Sequence, residues 1–228
     1  MTVSTASGSG TTSSPLSGDQ GGAHFEAWSL LAAIAVETER VRFGTLVTST
    51  VYRNPDLLAD MARTVDHLSG GRLILGVGAG GHGERDYAEY GYEAGGGPER
   101  VRDFESALER VERRLPRLNP RPAGPLPLLI AGFGERVMLR LVAQHAQMWN
   151  VGGPPEVVAQ KNAVLDRWCE RIGRDPAEIE RTVVLFPEMI DSWRDYVEAG
   201  MQHLILTVPA PFDLDPARRV LAEAGGER

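Results

Sequence analysis

From residue 25 onward, short apolar runs rich in β-branched residues alternate with longer stretches whose apolar residues recur at helical spacing. That alternation confines the chain to an α/β fold, a parallel sheet covered by helices. Residues 26–40 (EAWSLLAAIAVETER) set Trp28, Leu31, Ala35 and Thr38 on one stripe, which predicts a helix. Residues 41–51 (VRFGTLVTSTV) are β-branched and bounded by turns, which predicts a strand. Asn54 then suits an N-cap and Pro55 a first helical position, opening a helix that carries Leu58, Met61, Val65 and Leu68 and closes at Gly70 and Gly71. The same unit repeats. Strands are expected at 72–79, 126–131, 147–151, 182–186 and 203–208. Helices are expected after Pro98, at 135–146, at 155–172 with a stop at Gly173, at 188–199 and at 216–224. A doubly wound sheet and a closed barrel both satisfy the pattern.

Residues 1–23 (MTVSTASGSGTTSSPLSGDQGGA) break it, being almost wholly small and polar. Too little apolar surface is present to offset the entropy of ordering, so a disordered Ser/Thr/Gly-rich tail is expected there, followed by one domain at 24–228. The domain's charge is mildly acidic: 24 Lys plus Arg stand against 31 Asp plus Glu, giving −7. That balance gives no reason to expect nucleic acid or an anionic membrane surface as a partner. No apolar run approaches the ~20 residues that span a bilayer, and the N-terminus lacks the basic and apolar regions of a signal peptide. The single cysteine, Cys169, can form no internal disulfide, which points to a reducing, cytoplasmic compartment.

Two glycine motifs stand out. Gly76, Gly78 and Gly81 match GxGxxG, but a dinucleotide site needs a helix to open at once after the turn, and none begins at His82–Arg85. The better reading is a strand whose glycines let another backbone or a ligand ring approach. Gly132-Phe133-Gly134-Glu135-Arg136 joins a strand to a helix, and free N–H groups there, with Arg136 in the first turn, would bind an anion. A tight connection that binds nothing fits equally well. His82 and Glu84 follow the end of a strand, where catalytic residues of barrels lie, although a loop histidine is more often simply solvated. His67 and His145 fall near helix C-termini, which favour a cation, and Cys169 beside Trp168 reads as packing. No clustered Cys/His set indicates a metal.

Several stretches together resemble the luciferase-like monooxygenase family, particularly its deazaflavin-dependent branch. FEAWSLLAAIAVETERVRFGTLVTSTVYRNPDLLADMARTVDHLSGGRLILGVGAG is similar to the family's second helix through fourth strand. LPLLIAGFGERVMLRLVAQHAQMWNVGG resembles its fifth strand through sixth strand, and WRDYVEAGMQHLILTVP its last helix–strand unit. The resemblance implies a TIM (β/α)8-type barrel. It also implies hydride transfer with FMN or the deazaflavin coenzyme F420, a small-molecule substrate, and a homodimer formed through residues 26–40 and 55–68, where Ala32, Ala33, Ala59 and Ala62 would permit close approach. Carried over residue by residue, Leu46, Val47 and Ser49 correspond to the wall against the cofactor ring, with a non-proline cis peptide at Leu46–Val47. Ala79 and Gly80 correspond to a second wall, and Phe133, Gly134, Arg136 and Val137 to the phosphate site.

The chain also departs from the family pattern. The family's first two strands, with polar residues often reading Asp-His, have no counterpart, and the insertion before the fifth strand is reduced to residues 116–125. The expected barrel is therefore incomplete, with open sheet edges beside 41–51 and 203–208, weak cofactor binding and poor turnover. A non-catalytic flavin-binding remnant and a phosphate-binding barrel isomerase remain as alternatives.

Overall fold

The computed structural model describes residues 2–6, 25–80, 87, 90–93, 95–208 and 211–226, with residues 2–6 and 226 described by backbone alone. The chain divides into two compact units, Ser9–Ile130 and Met1–Gly8 with Ala131–Arg228.

The first unit holds α1 (Ala27–Glu37), β2 (Phe43–Gly44), β3 (Thr48–Ser49), α2 (Pro55–Leu68), β4 (Leu73–Gly78), α3 (Gly97–Arg114) and most of β5 (Leu128–Ala131). Glu26 caps α1, its carboxylate accepting from the N–H groups of Trp28 at 3.0 Å and Ser29 at 2.7 Å. Asn54 caps α2 in the expected way, accepting from the Asp56 N–H at 2.9 Å with Pro55 at the first position. α2 packs against α3, and Leu58, Ala59, Ala62 and Val65 of the one and Phe104, Leu108 and Val111 of the other are buried. Full burial of Leu58 or Phe104 stabilises the fold by about 2–3 kcal/mol each. Ala59 and Ala62, expected at an intermolecular contact, are instead buried inside this unit and cannot line one.

The strand expected at 41–51 is broken in two. Both pieces run parallel to β4, pairing Phe43 with Leu73 and Thr48 with Val77. Five residues advance on one side (43 to 48) and four on the other (73 to 77), so Thr45–Val47 carries a one-residue bulge. A 3-10 turn over Thr50–Tyr52 takes the end of the expected strand. β4 pairs β5 on its far side, Leu75 with Leu128 through Val77 with Ile130.

The second unit holds β1 (Thr2–Ala6), α4 (Met138–His145), β6 (Met148–Val151), α5 (Pro155–Ile172), β7 (Glu180–Leu185), α6 (Trp193–Glu198), β8 (His203–Thr207) and α7 (Asp215–Gly226). Its strands are parallel in the order β1-β8-β7-β6. Two expectations are corrected here. Residues 2–6 are not a disordered tail: they pair with β8 from Thr2 against His203 to Ala6 against Thr207, while residues 7–23 of that segment lie outside the described residues. β8 consequently has neighbours on both sides, and no open edge remains beside it. α5 keeps its expected bounds, with Gly173 at φ 73° as its left-handed stop. Helix α6 is shorter than expected, because a 3-10 segment at Pro187–Ser192 precedes it. Beneath the helices lie Leu139, Trp149, Leu165, Cys169, Leu185 and Leu204. Arg181 is buried among them with its charge answered by Asp166 at 2.6 Å and its other donors by Asn162 and the Pro176 and Ile179 carbonyls.

Among the described residues, β2 with β3 counts as one strand line, giving seven lines where a closed (β/α)8 barrel has eight.

Candidate functional site

In the first unit the predicted wall residues gather where β3 and β4 end. Ser49 stands opposite Gly78, so the C-terminal ends of two parallel neighbours lie side by side. This is the end of the strands at which barrel enzymes carry their chemistry. The Leu46–Val47 peptide is cis, as the resemblance implies, and both side chains are half-buried. Val47 lies over Gly76, where an added Cβ would stand 3.4 Å from Val47 Cγ1. Thr48 is buried and its hydroxyl accepts from Trp28 Nε1 at 3.0 Å, which fixes the strand end to α1. Ser49 is buried and accepts from the Val51 N–H at 3.3 Å. Ala79 is half-buried, and Gly80, at φ +72°, is exposed.

Against this wall lies a group of tyrosines that sequence reasoning missed. Tyr87 is 5% exposed, and its ring packs on Tyr52 with centroids 5.4 Å apart. A Cβ on Gly80 would stand 2.3 Å from Tyr87 Oη and 3.1 Å from Ser49 Oγ. Tyr52 also meets Tyr90 at 5.9 Å and Tyr92 at 5.7 Å, and the Tyr92 hydroxyl donates to the Tyr52 carbonyl at 2.9 Å. The YAEYGY spacing after β4 was the signal available in the sequence. His82 and Glu84 lie outside the described residues, as does Gly81 of the GxGxxG match. Gly76 and Gly78 sit inside β4, and Gly76 admits the Thr45 backbone, as the close-approach reading expected.

In the second unit, the Gly132–Arg136 connection is pinned from β6. The Gly132 N–H donates to the Asn150 carbonyl at 3.1 Å, and Trp149 Nε1 donates to the Gly132 carbonyl at 2.8 Å. Helix α4 starts at Met138, so Arg136 lies in the turn before the helix rather than in its first turn. The glycines explain the delay: Gly132 holds φ 151°, which a helix cannot continue. Phe133 is 64% exposed, and Gly134, Arg136 and Val137 are exposed beside it. Among the described residues, no backbone carbonyl accepts from the N–H groups of Phe133, Gly134 or Arg136. Glu135 is drawn aside: Lys161 donates to its carboxylate at 2.6 Å, and Trp168 Nε1 donates to its carbonyl at 2.7 Å. The Lys161 ammonium holds the Glu135 carboxyl below its usual pKa range. The turn thus offers N–H donors and an exposed guanidinium, with its one carboxylate already answered.

A cavity of about 220 Å³ opens at the C-terminal end of β8, lined by Ile190, Leu206, Val208, Pro211, Pro216 and Ala217 among others; none of the predicted site residues lines it. Among the described residues no helix is long and apolar enough to cross a membrane.

Residues 9–227 match the luciferase-like monooxygenase family, and the chain belongs to that family. It is 30% identical to a 4-hydroxyprotoasukamycin monooxygenase of Streptomyces nodosus subsp. asukaensis over 85% of this chain and 60% of that protein. It is 30% identical to a phthiodiolone/phenolphthiodiolone dimycocerosates ketoreductase of Mycobacterium sp. (strain JLS) over 88% of this chain and 57% of that protein. The chain therefore spans less than two thirds of either relative. Among solved structures, an F420-dependent secondary alcohol dehydrogenase superposes with a TM-score of 0.74 at 16% identity, covering 85% of this chain and 82% of that one. The coenzyme F420-dependent tetrahydromethanopterin reductase of Methanopyrus kandleri gives 0.68 at 14% identity, over 86% and 84% of the two chains. The fold is thus that of the luciferase-like α/β barrels, in incomplete form, which decides between the barrel and the doubly wound sheet and removes the unrelated isomerase.

Proposed function

We propose that this chain is an oxidoreductase that holds a flavin-type ring, of FMN or coenzyme F420, and serves hydride transfer between it and a small-molecule substrate. The carrying observation is the meeting of Ser49, Ala79 and Gly80 at the C-terminal ends of neighbouring parallel strands. Three small residues at such a place leave backbone and hydroxyl surface open to a flat ring, where larger side chains would fill the space. The names of the relatives, a monooxygenase and a ketoreductase, and of the F420-dependent structural neighbours support the same reading.

The bound ring would supply the hydride chemistry; the protein's task is to bind, orient and exclude water. In this reading Leu46 and Val47 present apolar surface to the ring, while Ser49 offers a hydroxyl and Gly80 an uncovered backbone. Within the second unit, Phe133, Gly134, Arg136 and Val137 form a phosphate-binding turn of their own, through N–H groups and the guanidinium. His82 and Glu84 are the candidates for proton transfer to or from substrate. The protein forms a homodimer through α1 and α2, whose uncovered apolar side chains include Val36 and Leu57, 61% and 55% exposed.

Titrating the purified protein with FMN and, separately, with F420 while recording the visible absorption band tests the reading. Saturable perturbation of one band is expected, followed by turnover when the reduced cofactor and a ketone panel are supplied. Binding without turnover across the panel would leave a cofactor-binding protein in place of an enzyme, and no perturbation by either cofactor contradicts the proposal.

A further inference from the structure

The Tyr87 hydroxyl is enclosed and has no hydrogen-bond partner among the described residues. Buried polar groups are nearly always paired, so an orphan of this kind asks what it is for. Phenylalanine would fill the same space against Tyr52 without stranding a hydroxyl. The ring is also held in place: it packs on Tyr52, which the Tyr92 hydroxyl fixes through its carbonyl at 2.9 Å. The hydroxyl packs against Gly80, in the space a side chain there would fill: a Cβ would stand 2.3 Å from Tyr87 Oη. The same missing side chain would bring Ser49 Oγ to 3.1 Å, so both hydroxyls border the one exposed glycine of the wall.

We infer that Tyr87 is a cofactor-contacting residue whose hydroxyl donates a hydrogen bond to a carbonyl oxygen of the ring held at Ser49 and Gly80. The chemistry recognised is the pyrimidinedione end that flavins and deazaflavins share, so the inference does not choose between FMN and F420. It rests on the reading of Ser49, Ala79 and Gly80 as the ring wall. Tyr52, Tyr90 and Tyr92 position Tyr87 and need not touch the ligand.

The test uses the full 228-residue protein and its Tyr87→Phe variant, each titrated with FMN and with F420 and each melted without ligand. Removing the hydroxyl is expected to weaken binding of whichever cofactor the wild type takes by about tenfold, the usual weight of one hydrogen bond to a ligand. The ligand-free Tm is expected to stay level or rise, because an unpaired buried hydroxyl is lost. Unchanged affinity in the variant, with the wild type binding, overturns the Tyr87 assignment and leaves the wall reading intact. A lower ligand-free Tm overturns it too, since it would mean the hydroxyl is bonded within the protein. A wild type that binds neither cofactor refutes the wall reading itself, and Tyr87's role with it.

Discussion

Thr45 and Gly76 meet backbone to backbone: the Thr45 hydroxyl donates to the Gly76 carbonyl at 2.6 Å, and a Cβ on Gly76 would stand 1.8 Å from the Thr45 carbonyl oxygen. This contact seats the bulge at Thr45–Val47 on β4 and so sets where Leu46, Val47 and Ser49 lie. Because the obstructing atom is backbone, a rotamer change cannot relieve it. Gly76→Ala is expected to cost about 3 kcal/mol or more, at or beyond the usual upper range for overpacking. Chemical denaturation of the variant measures this, and a loss under about 1 kcal/mol would show that the strands can part freely.

Arg72 closes α1. Its guanidinium donates to the carbonyls of Ala35, Thr38, Val41 and Ser69 and to the Thr38 hydroxyl, at 2.6–2.9 Å. Five donors in a rigid fork satisfy the last carbonyls of a helix and hold β2 beside it, and a lysine has three donors on a single nitrogen. Arg72→Lys is expected to lower stability by about 2 kcal/mol in urea unfolding, with cofactor affinity unchanged. A variant as stable as the parent would show these bonds to be replaceable by water.

Glu26 gives a pH dependence of known sign. Burial pushes its carboxyl up, but the Trp28 and Ser29 N–H groups and the Arg53 guanidinium outweigh that, and the net pKa is lowered from 4.5. A carboxyl whose pKa is depressed by folding stabilises the fold fully above 4.5, and that stabilisation is lost as pH falls through the lower, folded value. Glu26→Ala should cost about 1 kcal/mol at neutral pH, the usual weight of an N-cap. The gap between parent and variant should narrow in melts below pH 4.5; a gap that is flat from pH 7 to pH 3 would assign the effect to packing instead.

The proposed dimer makes Leu57 and Val36 contact residues, since they are the large apolar side chains that α1 and the first turn of α2 leave uncovered. Leu57→Asp is expected to shift the sedimenting species from dimer to monomer at micromolar concentration. A monomeric parent under the same conditions removes the proposal.

Helix α5 was legible to the residue because both its ends are written locally, by Pro155 and by Gly173 in the left-handed conformation. The break at Thr45–Val47 was not, because its cause, the close approach to Gly76, lies on another strand. β1 was obscured by its setting. Thr2, Val3 and Thr5 have strand propensity, but the residues that follow read as a polar tail, and the β8 edge that pairs with them lies far along the chain. Helix α4 begins at Met138, one turn later than its apolar spacing suggested, because the positive φ of Gly132 and the Trp149 bond to its carbonyl dictate the connection. Of the candidate site, the wall came from resemblance and from glycine spacing. Tyr87 was invisible because an orphaned hydroxyl can be recognised only once its surroundings are folded.

The proposed flavin-type ring lies against Ala79 and its neighbours at the ends of β3 and β4. The most direct measurement is the dissociation constant of the bound cofactor for the parent and for Ala79→Trp, read from the visible absorption band, with a thermal melt as control. Ala79 is half-buried at the strand end, so an indole there would occupy the space assigned to the ring while the helices and the second unit stay as they are. The expected result is at least a hundredfold loss of affinity, about 2.7 kcal/mol, with Tm changed by only a few degrees. Equal affinity in the parent and the variant would contradict it.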